Sequence, residues 1–364
     1  MTARRRDVVV LCAFDPGSTF SYHTAWPRHL AAHPKFAATV LNLRDKSVVS
    51  RARTMLTLGA GRFEAIILLH SVFSNAQLLD GWLLGLVQKC PQPKIFFIGN
   101  EYKLMAEKMA FAAALPVALL VSQSGSEAVL QLYRRRLGCA VCGIPNTGLD
   151  ETLFAARTPR AERPIDLGYR ADDAPPYIGH QERREIGEYF AAAADRYGLK
   201  VDISTNPRAR FTELEWAAFL DRCKGQLGAE AGGDYFELDD RTRNAVLAYE
   251  VAHPTATFDD IYANFFANYG PSVPIRIMSG RQVEAAGTRT VQILFEGRYD
   301  GYFEPDVHYI PLKKDLSNAD DAIRKFRDAA LCDGLTERAR DVARQQLAYD
   351  VLIDRLAGEM AAVA

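Results

Sequence analysis

The stretch SGRQVEAAGTRTVQILFEG, residues 279–297, joins a polar turn to a short helical pattern and then to a strand. Ser279, Gly280 and Arg281 precede the helical part, and Glu284 follows about one turn later. The apolar run VQILF is typical of a strand that is covered on both faces of a parallel sheet. This turn–helix–strand unit therefore predicts an α/β domain whose ligand-binding residues lie at the start of a helix.

The same alternation of apolar runs and helical stretches extends over most of the chain. The first series of predicted strands comprises DVVVLCAF, ATVLNL, EAIILLH, KIFFIGN, VALLVSQ and CAVCGIP. The second series comprises IDLGYR, LKVDIST, GQLGAEAGG, IRIM, VQILFEG and HYIPL. Strand–helix alternation of this kind predicts two Rossmann-like, doubly wound domains. Two such sheets are expected to face each other across a ligand-binding cleft.

Breaks in this rhythm give the predicted domain boundaries. Residues 1–150 are predicted to be an N-terminal Rossmann-like domain, and the polar, proline-containing residues 151–164 a linker. Residues 165–345 are predicted to be a second Rossmann-like domain. The helical pattern of residues 346–364 predicts a C-terminal helix that packs back toward the first domain.

Composition excludes several classes of protein. The 364 residues contain 44 Lys+Arg and 45 Asp+Glu, so a global basic field for nucleic-acid binding is absent and no nucleic-acid partner is expected. No apolar run reaches the ~18 residues of a transmembrane helix, and the basic start does not continue as a signal peptide. We therefore predict a cytoplasmic protein with reduced cysteines. Membrane contact is expected to be at most peripheral, at the inner face, through basic clusters and the helix near Trp82.

Known nucleotide and metal motifs do not occur in the sequence. The chain lacks GxGxxG after its first strand, GxxxxGK[ST] and HExxH, which argues against a dinucleotide dehydrogenase, a P-loop NTPase and a zinc protease. Cys139 and Cys142 form one CxxC without a second ligand pair, so a buried structural pair is favoured over zinc. No metal or other cofactor is predicted.

The turn that begins the quoted stretch is the first candidate site. Free N–H groups at a helix start, with Gly280 allowing close approach, suit a phosphate, and Arg281 adds a guanidinium fork. Glu284 is placed to accept both hydroxyls of a ribose. The spacing also permits a plain surface ion pair between Arg281 and Glu284, and both interpretations stay open.

Three positions in the N-terminal half are further candidates. Gly17 and Ser18, after the first strand, could approach a phosphate of the ligand, but the same loop could simply cap a helix. His70 ends the strand AIILLH and could touch a ligand in the expected cleft or be structural. Glu101 follows the strand KIFFIGN and could be a catalytic base or a favourable charge at a helix start.

Residues 276–321, RIMSGRQVEAAGTRTVQILFEGRYDGYFEPDVHYIPLKKDLSNADD, resemble the donor-binding segment of glycosyltransferases with the GT-B fold. The similarity is to the group 1-like proteins of bacterial surface-polysaccharide gene clusters. Their pattern S-x-R-x-x-E-A, E-G-x-Y-x-G and H-Y-I-x-L-K-x-D-x-S-N is matched from Ser279 to Asn318. The hinge-like IPNTGLDETLF and the glycine loop CKGQLGAEAGGD are similar as well. The likeness is good over residues 144–350 and loose before them.

The resemblance implies a metal-independent transferase. Its donor would be a nucleoside-diphosphate sugar and its acceptor a glycan or a lipid-linked glycan. Ser279, Gly280 and Arg281 would contact the diphosphate, and Glu284 the ribose. Arg170 would neutralise the leaving diphosphate. Three further positions that follow the family pattern are expected to support the site or its ligand, namely Glu296, Tyr299 and His308.

One departure from the pattern concerns stereochemistry. Retaining relatives carry an E-x7-E pair that ends on the acid matched by Glu284, but Arg276 stands where the first acid belongs. Glu230 is the candidate replacement, and retention and inversion both stay open. A nucleotide-sugar 2-epimerase and a catalytically inactive nucleotide-sugar-binding protein of the same fold are the alternatives.

Overall fold

The structure is a computed structural model that describes residues 4–15 and 20–363. The chain forms two compact units. Unit 1 comprises Met1–Asn146, Phe236–Arg241 and Tyr349–Ala364. Unit 2 comprises Thr147–Tyr235 and Thr242–Ala348.

Unit 1 is built on a parallel sheet of six strands in its described residues, in the order β2-β1-β3-β4-β5-β6. The strands are β1 (Arg6–Cys12), β2 (Phe36–Asn42), β3 (Ala65–Leu68), β4 (Lys94–Phe97), β5 (Val117–Ser122) and β6 (Ala140–Gly143). Each lies in one of the apolar runs of the sequence, so the first predicted strand series is confirmed. All four residues of β3 and of β4 are buried, because helices cover both faces of the sheet.

Helices connect these strands as parallel pairing requires. They are α1 (Ser21–Ala32), α2 (Val48–Ala60), α3 (Gly81–Lys89), α4 (Met105–Ala114) and α5 (Glu127–Leu137). Trp26 of α1 is fully buried and packs on Phe97 at the end of β4, with ring centroids 5.0 Å apart.

Unit 2 contains a second parallel sheet, with five strands in the described part, in the order β13-β12-β9-β7-β8. The strands of this sheet are β7 (Ile165–Arg170), β8 (Val201–Ser204), β9 (Cys223–Gly228), β12 (Val291–Phe295) and β13 (Ile310–Leu312). Two further strands, β10 (Ala231–Gly233) and β11 (Ile275–Ile277), form a separate pair. The helices are α6 (Glu182–Ala192), α7 (Ala194–Tyr197), α8 (Glu213–Arg222), α9 (Arg241–Ala252), α10 (Phe258–Phe265), α11 (Gly280–Gly287), α12 (Ala319–Arg327) and α13 (Ala329–Gln346).

The segment IRIM corrects one expectation. It was predicted as a member of the strand–helix series, but β11 pairs antiparallel with β10 outside the parallel sheet. The close pairing depends on Gly232, where a Cβ atom would lie 1.7 Å from the carbonyl oxygen of Ile275 and where φ is +86°. A glycine in the middle of β10 therefore permits the close pairing of this two-stranded ribbon.

The last helix, α14 (Tyr349–Ala362), belongs to unit 1 and packs against α1. Tyr349 meets the edge of Trp26 with ring centroids 5.5 Å apart, and Arg355 donates to the carbonyl oxygen of Gly143. The predicted return of the C-terminal helix to the first unit is thus confirmed.

A buried arginine joins three segments of unit 2. Arg163 donates to the carbonyl oxygens of Thr158, Cys223 and Thr288 at 3.0, 3.0 and 2.8 Å. Asp221 lies 3.6 Å away and balances part of its charge. Arg163 therefore fixes the start of β9 and the C-terminal end of α11 to the segment that precedes β7.

We predict that Arg163→Met lowers the free energy of unfolding by about 3–5 kcal/mol. The substitution leaves the buried carbonyl oxygens without a hydrogen-bond donor and Asp221 without its cation. Thermal unfolding monitored by circular dichroism measures the loss. Arg196→Met is the control, since Arg196 is exposed and pairs with the exposed Asp320, which is worth about 0–1 kcal/mol. Equal melting temperatures for the two variants would show that Arg163 is not a structural centre.

Candidate functional site

The turn at Ser279 begins α11 with a capping box. The Gln282 side-chain oxygen accepts hydrogen bonds from the backbone N–H of Ser279 at 2.9 Å and from its hydroxyl at 2.6 Å. Ser279 is therefore the N-cap of α11, and its side chain is used within the protein. Its predicted contact with a diphosphate stays a prediction.

Gly280 has a packing role. A Cβ atom at this position would lie 2.5 Å from the Thr147 hydroxyl oxygen and 3.0 Å from its Cβ. The glycine therefore lets Thr147 pack against the first turn of α11. The sequence predicted close approach of a phosphate at Gly280, and the structure places a side chain of the same unit there.

Arg281 lies at the carboxyl edge of the unit 2 sheet. Its Nη1 donates to the carbonyl oxygen of Arg170, the last residue of β7, at 3.1 Å. Its Nε is buried and has no hydrogen-bond acceptor. Burial lowers the pKa of Arg281, with Tyr169 opposing and the nearby cation Arg183 adding to this shift. An anion beside Arg281 would relieve both the missing bond and the unfavourable charge environment.

Four arginines, which we name the arginine cluster, lie near this edge of the sheet, and the charges of Arg183 and Arg210 act on that of Arg281. They are Arg170 at the end of β7, Arg183 in the first turn of α6, Arg210 before α8 and Arg281 in the first turn of α11. The Nε atoms of Arg170 and Arg183 are, like that of Arg281, buried without an acceptor. Arg210 is engaged with Asp172, its Nε donating at 2.7 Å. The cluster lies beyond the carboxyl ends of parallel strands, where α/β sheets bind ligands.

Arg170 is the most constrained member of the arginine cluster. Its guanidinium lies between the rings of Phe211 and Phe219, 4.8 and 4.7 Å from their centroids. Its terminal nitrogens donate to the Asp202 carboxylate at 2.7 Å and to the carbonyl oxygens of Tyr169 and Asp202, both at 2.9 Å. Nε and the second hydrogen of Nη2 are left for an external anion, so the predicted contact with a leaving group rests on those two donors.

Glu284 is buried, with 4 % of its surface exposed. One of its carboxylate oxygens accepts from the indole N–H of Trp216 on α8 at 2.7 Å. The interpretation of Arg281 and Glu284 as a surface pair is therefore wrong. Trp216 stacks on Phe219 with centroids 5.6 Å apart, so one aromatic layer adjoins both Glu284 and Arg170.

Glu230 is fixed on backbone donors. It accepts hydrogen bonds from the backbone N–H groups of Arg298 and Tyr299 at 3.1 and 2.8 Å. Burial raises its pKa, although these bonds oppose the shift. The carboxylate also fills the space beside Gly297, where a Cβ atom would lie 2.7 Å from it. Glu230 thus stabilises the turn after β12, and its role toward the donor sugar stays a prediction.

Arg276 occupies the position of the missing acid and is itself tied to carboxylates. It binds Glu182 through two bonds of 2.9 and 3.0 Å and Asp234 through bonds of 2.6 and 2.8 Å. Lys314 lies 2.8 Å from Glu182. Burial opposes ionisation of Glu182, but Arg276 and the other nearby cations hold its pKa below the ordinary value. Arg276 is therefore part of an internal ion-pair network with Glu182, Asp234 and Lys314.

The three supporting positions lie on or after β12. Tyr299 is fully buried, and its hydroxyl donates to the carbonyl oxygen of Phe295 at 2.6 Å. His308 accepts the backbone N–H of Glu304 on Nδ1 at 2.9 Å. Glu296 is exposed directly after β12. Tyr299 and His308 hold the loop between β12 and β13, and ligand contact by any of the three stays a prediction.

Unit 1 brings His70 together with a histidine that the sequence analysis did not single out, His23. His70 is fully buried, with its ring 5.5 Å from that of Tyr22 and 5.1 Å from that of Phe97. The Nε2 atoms of His70 and His23 are both buried without a partner. Burial lowers the pKa of His70 to about 3 and that of His23 to about 4. Both imidazoles are therefore neutral at pH 7.

The loop before His23 is only partly described. Gly17 and Ser18, predicted to approach the donor phosphate, lie outside the described residues.

Glu101 is a hydrogen-bond centre inside unit 1. It accepts from the Ser122 hydroxyl at 2.7 Å, the Gln123 backbone N–H at 2.7 Å and the Tyr133 hydroxyl at 2.6 Å. Burial raises its pKa against these bonds. Because α4 begins only at Met105, Glu101 is not a charge in a helix first turn. Its three partners make it an anchor for the ends of β5 and α5, and the proposed base role stays untested.

Within residues 4–15 and 20–363, no group of three or more His, Cys, Asp or Glu side chains is placed to hold a metal ion. Cys139 and Cys142 are free thiols, and burial raises the pKa of Cys142 to about 12. None of the described helices is long and apolar enough to cross a bilayer.

Glu182 and Arg183 belong to the charged groups of the candidate site, but the sequence pattern did not predict either residue. They follow Gly179 in the stretch GHQERRE, a turn that leads into a helix after a strand. That is the same local order as SGRQ before α11. The repeated strand–turn–arginine–helix pattern was the available signal for Arg183.

Solved structures with the same architecture were found. A glycosyltransferase from Rickettsia africae matches with a TM-score of 0.55 at 7% identity, over 99% of this chain and 98% of that one. Sucrose-phosphate synthase from Thermosynechococcus elongatus matches with a TM-score of 0.52 at 12% identity, over 99% and 100%. Anabaena HepE in complex with UDP-glucose matches with a TM-score of 0.50 at 10% identity, over 98% and 100%.

These likenesses, at such low identity, show the fold. The predicted GT-B architecture of two Rossmann-like domains is confirmed. No protein-family profile matches the chain, and no curated protein matches it.

We predict that the free energy of unfolding falls as the pH falls below about 6.5, the ordinary pKa of histidine in an unfolded chain. Below that pH the two histidines bind protons in the unfolded chain, whereas the buried imidazoles of His70 and His23 stay neutral in the folded protein. By pH 5 this difference lowers the free energy of unfolding by about 2 kcal/mol for each histidine. His70→Phe keeps an aromatic ring but cannot bind a proton. Its thermal unfolding from pH 7 to pH 5 is expected to show a smaller loss than the wild type, whereas the exposed His253→Gln keeps the full loss. An unchanged loss in His70→Phe would contradict the assignment.

Proposed function

We propose that this protein is a glycosyltransferase that uses a nucleoside-diphosphate sugar as its donor. The observation that carries the proposal is the arginine cluster, in which Arg170, Arg183 and Arg281 each keep a buried Nε without an acceptor. A buried, unsatisfied donor costs about 1–3 kcal/mol, so an anion beside Arg183 and Arg281, whose positive charges repel each other, would be favourable. The fold supports the same conclusion, because proteins of this architecture include a glycosyltransferase and a protein whose structure was solved in complex with UDP-glucose.

The diphosphate is proposed to bind between the first turns of α6 and α11. Arg183 and Arg281 lie in those first turns, so the positive ends of two helices add to the guanidinium charges. Cleavage of the bond between the anomeric carbon and the diphosphate builds negative charge on the leaving group. Fixed cations at that place stabilise the transition state more than the ground state. Arg170 would contribute through its Nε, held in place by Asp202 and two aromatic rings.

Glu284 is proposed to accept the ribose hydroxyls. Trp216 holds one carboxylate oxygen at 2.7 Å and thereby fixes the orientation of the carboxylate plane. The ribose hydroxyls would donate hydrogen bonds to the same carboxylate. In this assignment Trp216 is a positioning residue, since it acts through the carboxylate.

The stereochemical course of transfer is open in this proposal. Arg276 stands where retaining relatives carry an acid, and its charge is balanced by Glu182 and Asp234. Glu101 and Glu230 are each bound by two or more donors, so neither is a free base. The neutral imidazoles of His23 and His70 are the better candidates to accept hydrogen bonds from sugar hydroxyls.

The biological setting is proposed from the resemblance described above. Residues 165–345 would bind the donor and residues 1–150 the acceptor, a glycan or a lipid-linked glycan of bacterial surface-polysaccharide synthesis at the inner face of the membrane. The epimerase and the inactive-protein alternatives are not favoured. A screen of purified protein for donor breakdown with and without an acceptor panel separates the three: transfer needs an acceptor, epimerisation does not, and an inactive protein only binds.

We predict that Arg183→Met weakens binding of the preferred nucleoside diphosphate about 10- to 100-fold, the loss expected for a charge-assisted hydrogen bond in a buried site. Isothermal titration calorimetry with UDP, GDP, ADP and CDP measures the dissociation constants. Arg184→Met is the matched control, because Arg184 is the next residue of α6 but is exposed and pairs with Glu188. If both variants bind the nucleotide as tightly as the wild type, the diphosphate is not at the arginine cluster.

We predict that Glu284→Gln removes the preference for ribose. The wild type should bind a nucleoside diphosphate about tenfold or more tightly than its 2′,3′-dideoxy analogue, because a carboxylate accepts two hydroxyls there. The variant should bind the two compounds equally. Trp216→Phe should narrow the preference without abolishing it. A wild type that does not distinguish the compounds would refute the ribose assignment while leaving the diphosphate site intact.

A further inference from the structure

The turn that follows β12 contains the longest run of left-handed backbone in the described part of the chain. Tyr299, Asp300 and Gly301 are consecutive, and their φ angles are +43°, +53° and +81°. Elsewhere in residues 4–15 and 20–363, residues with positive φ are isolated from one another. We name Tyr299–Gly301 the left-handed turn. Glycine adopts this conformation freely and aspartate does so fairly readily, but a tyrosine adopts it only against a steric penalty.

Contacts on several sides hold Tyr299 in this conformation. Its backbone N–H donates to the Glu230 carboxylate at 2.8 Å, and its hydroxyl donates to the carbonyl oxygen of Phe295 at 2.6 Å. Its side chain is fully buried, with the ring centroid 5.3 Å from that of Tyr309. Strained backbone persists only where the surrounding structure fixes it, and it is concentrated at functional sites. The strain therefore indicates that the position of a neighbouring side chain in this turn matters for function.

Asp300 is the side chain that the left-handed turn places. Its Oδ2 accepts the backbone N–H of Met278 at 2.8 Å. Met278 is buried and directly precedes Ser279, the N-cap of α11. The left-handed turn also lies against β11, whose last residue is Ile277. Asp300 therefore fixes the point at which the chain leaves β11 and enters α11.

Arg281 lies three residues beyond this bond, in the first turn of α11. Its Nη1 donates to the carbonyl oxygen of Arg170, and its buried Nε has no acceptor. The direction in which that Nε points depends on where the chain enters the helix, because a short helix moves as a unit. The bond that fixes Met278 therefore also fixes the guanidinium of Arg281.

From these observations we propose that Asp300 is a positioning residue for the diphosphate. Its carboxylate, presented by the left-handed turn, holds the start of α11 in the orientation in which Arg281 and the free N–H groups of the first helical turn meet the anion. Asp300 acts through Met278 and does not itself contact the ligand, because two negative groups repel each other. The inference rests on the proposed function, since it deepens the assignment of the diphosphate to α11.

Asp300→Gly tests the proposal with little risk to folding. Glycine adopts a φ of +53° without strain, so the variant keeps the turn and loses only the carboxylate. Calorimetry with the preferred nucleoside diphosphate and with its nucleoside gives the gain in affinity that the two phosphates provide. Asp300→Gly should lower this gain about tenfold, the effect of one lost charge-assisted hydrogen bond, and leave nucleoside binding unchanged.

Two further variants separate this bond from other effects. Asp300→Asn keeps a side-chain oxygen for Met278 and a residue type that tolerates positive φ, so it should retain the gain of the wild type. Asp306→Gly is the matched control in the loop between β12 and β13. Asp306 also has a positive φ, +59°, but its carboxylate binds Lys325 at 2.6 Å. Asp306→Gly should therefore leave the gain unchanged.

Hydrogen–deuterium exchange measured by mass spectrometry reports the contact without a ligand. The amides of residues 275–284 should exchange faster in Asp300→Gly than in the wild type, because the backbone N–H of Met278 loses its acceptor. The same amides should exchange at the wild-type rate in Asp306→Gly.

Three outcomes would overturn the positioning role while the wild type still binds the nucleoside diphosphate. One is an unchanged gain in Asp300→Gly. Another is an equal loss for the nucleotide and the nucleoside, which indicates a merely structural change. The third is a loss in Asp300→Asn as large as that in Asp300→Gly. Unchanged exchange of residues 275–284 would refute the contact itself. A wild type that binds no nucleoside diphosphate would instead refute the proposed function, and the positioning role with it.

Discussion

The buried guanidinium of Arg163 holds unit 2 in the arrangement on which its candidate site depends. It binds the carbonyl oxygen of Thr288 at one end of α11, while the other end of the same helix carries Arg281. It also binds the carbonyl oxygen of Cys223, where β9 begins. The position of α11 relative to the sheet therefore rests on a charge buried far along the helix from the candidate ligand.

Charges in unit 2 fall into two groups that differ in how fully they are satisfied. Arg276, Glu182 and Asp234 form an internally balanced network with several short hydrogen bonds. Arg183 and Arg281, by contrast, keep buried donors without acceptors. A fold that can satisfy the first group so completely does not leave the second unsatisfied for lack of suitable carboxylates. The contrast supports a recruited anion at the arginine cluster and a structural role for the Arg276 network.

The sequence predicted the parts of the fold that depend on local pattern. Continuous apolar runs gave the strands of both parallel sheets, because burial on both faces leaves no polar alternation. The sequence did not predict that the three-residue strands β10 and β11 pair with each other outside the sheet. Their pairing depends on one glycine and on a contact across more than 40 residues. The spacing of Arg281 and Glu284 located both on α11, but it could not show that Trp216 of α8 meets Glu284. His23 gains meaning only from His70, a neighbour distant in the chain, which no single-sequence pattern records.

Unit 1 is built from chain segments that lie before and after most of unit 2, and this affects folding during synthesis. Trp26 completes its packing against Tyr349, a residue 323 positions later in the printed sequence. During synthesis the ribosome releases every strand of the first sheet, and all of unit 2, before it releases α14. Unit 2 can therefore fold while the apolar side of α1, which α14 covers in the finished protein, is still exposed. Loss of the last turns of α14 would leave the sheet domain that is made before unit 2 without this cover, which would expose it to chaperones and proteases.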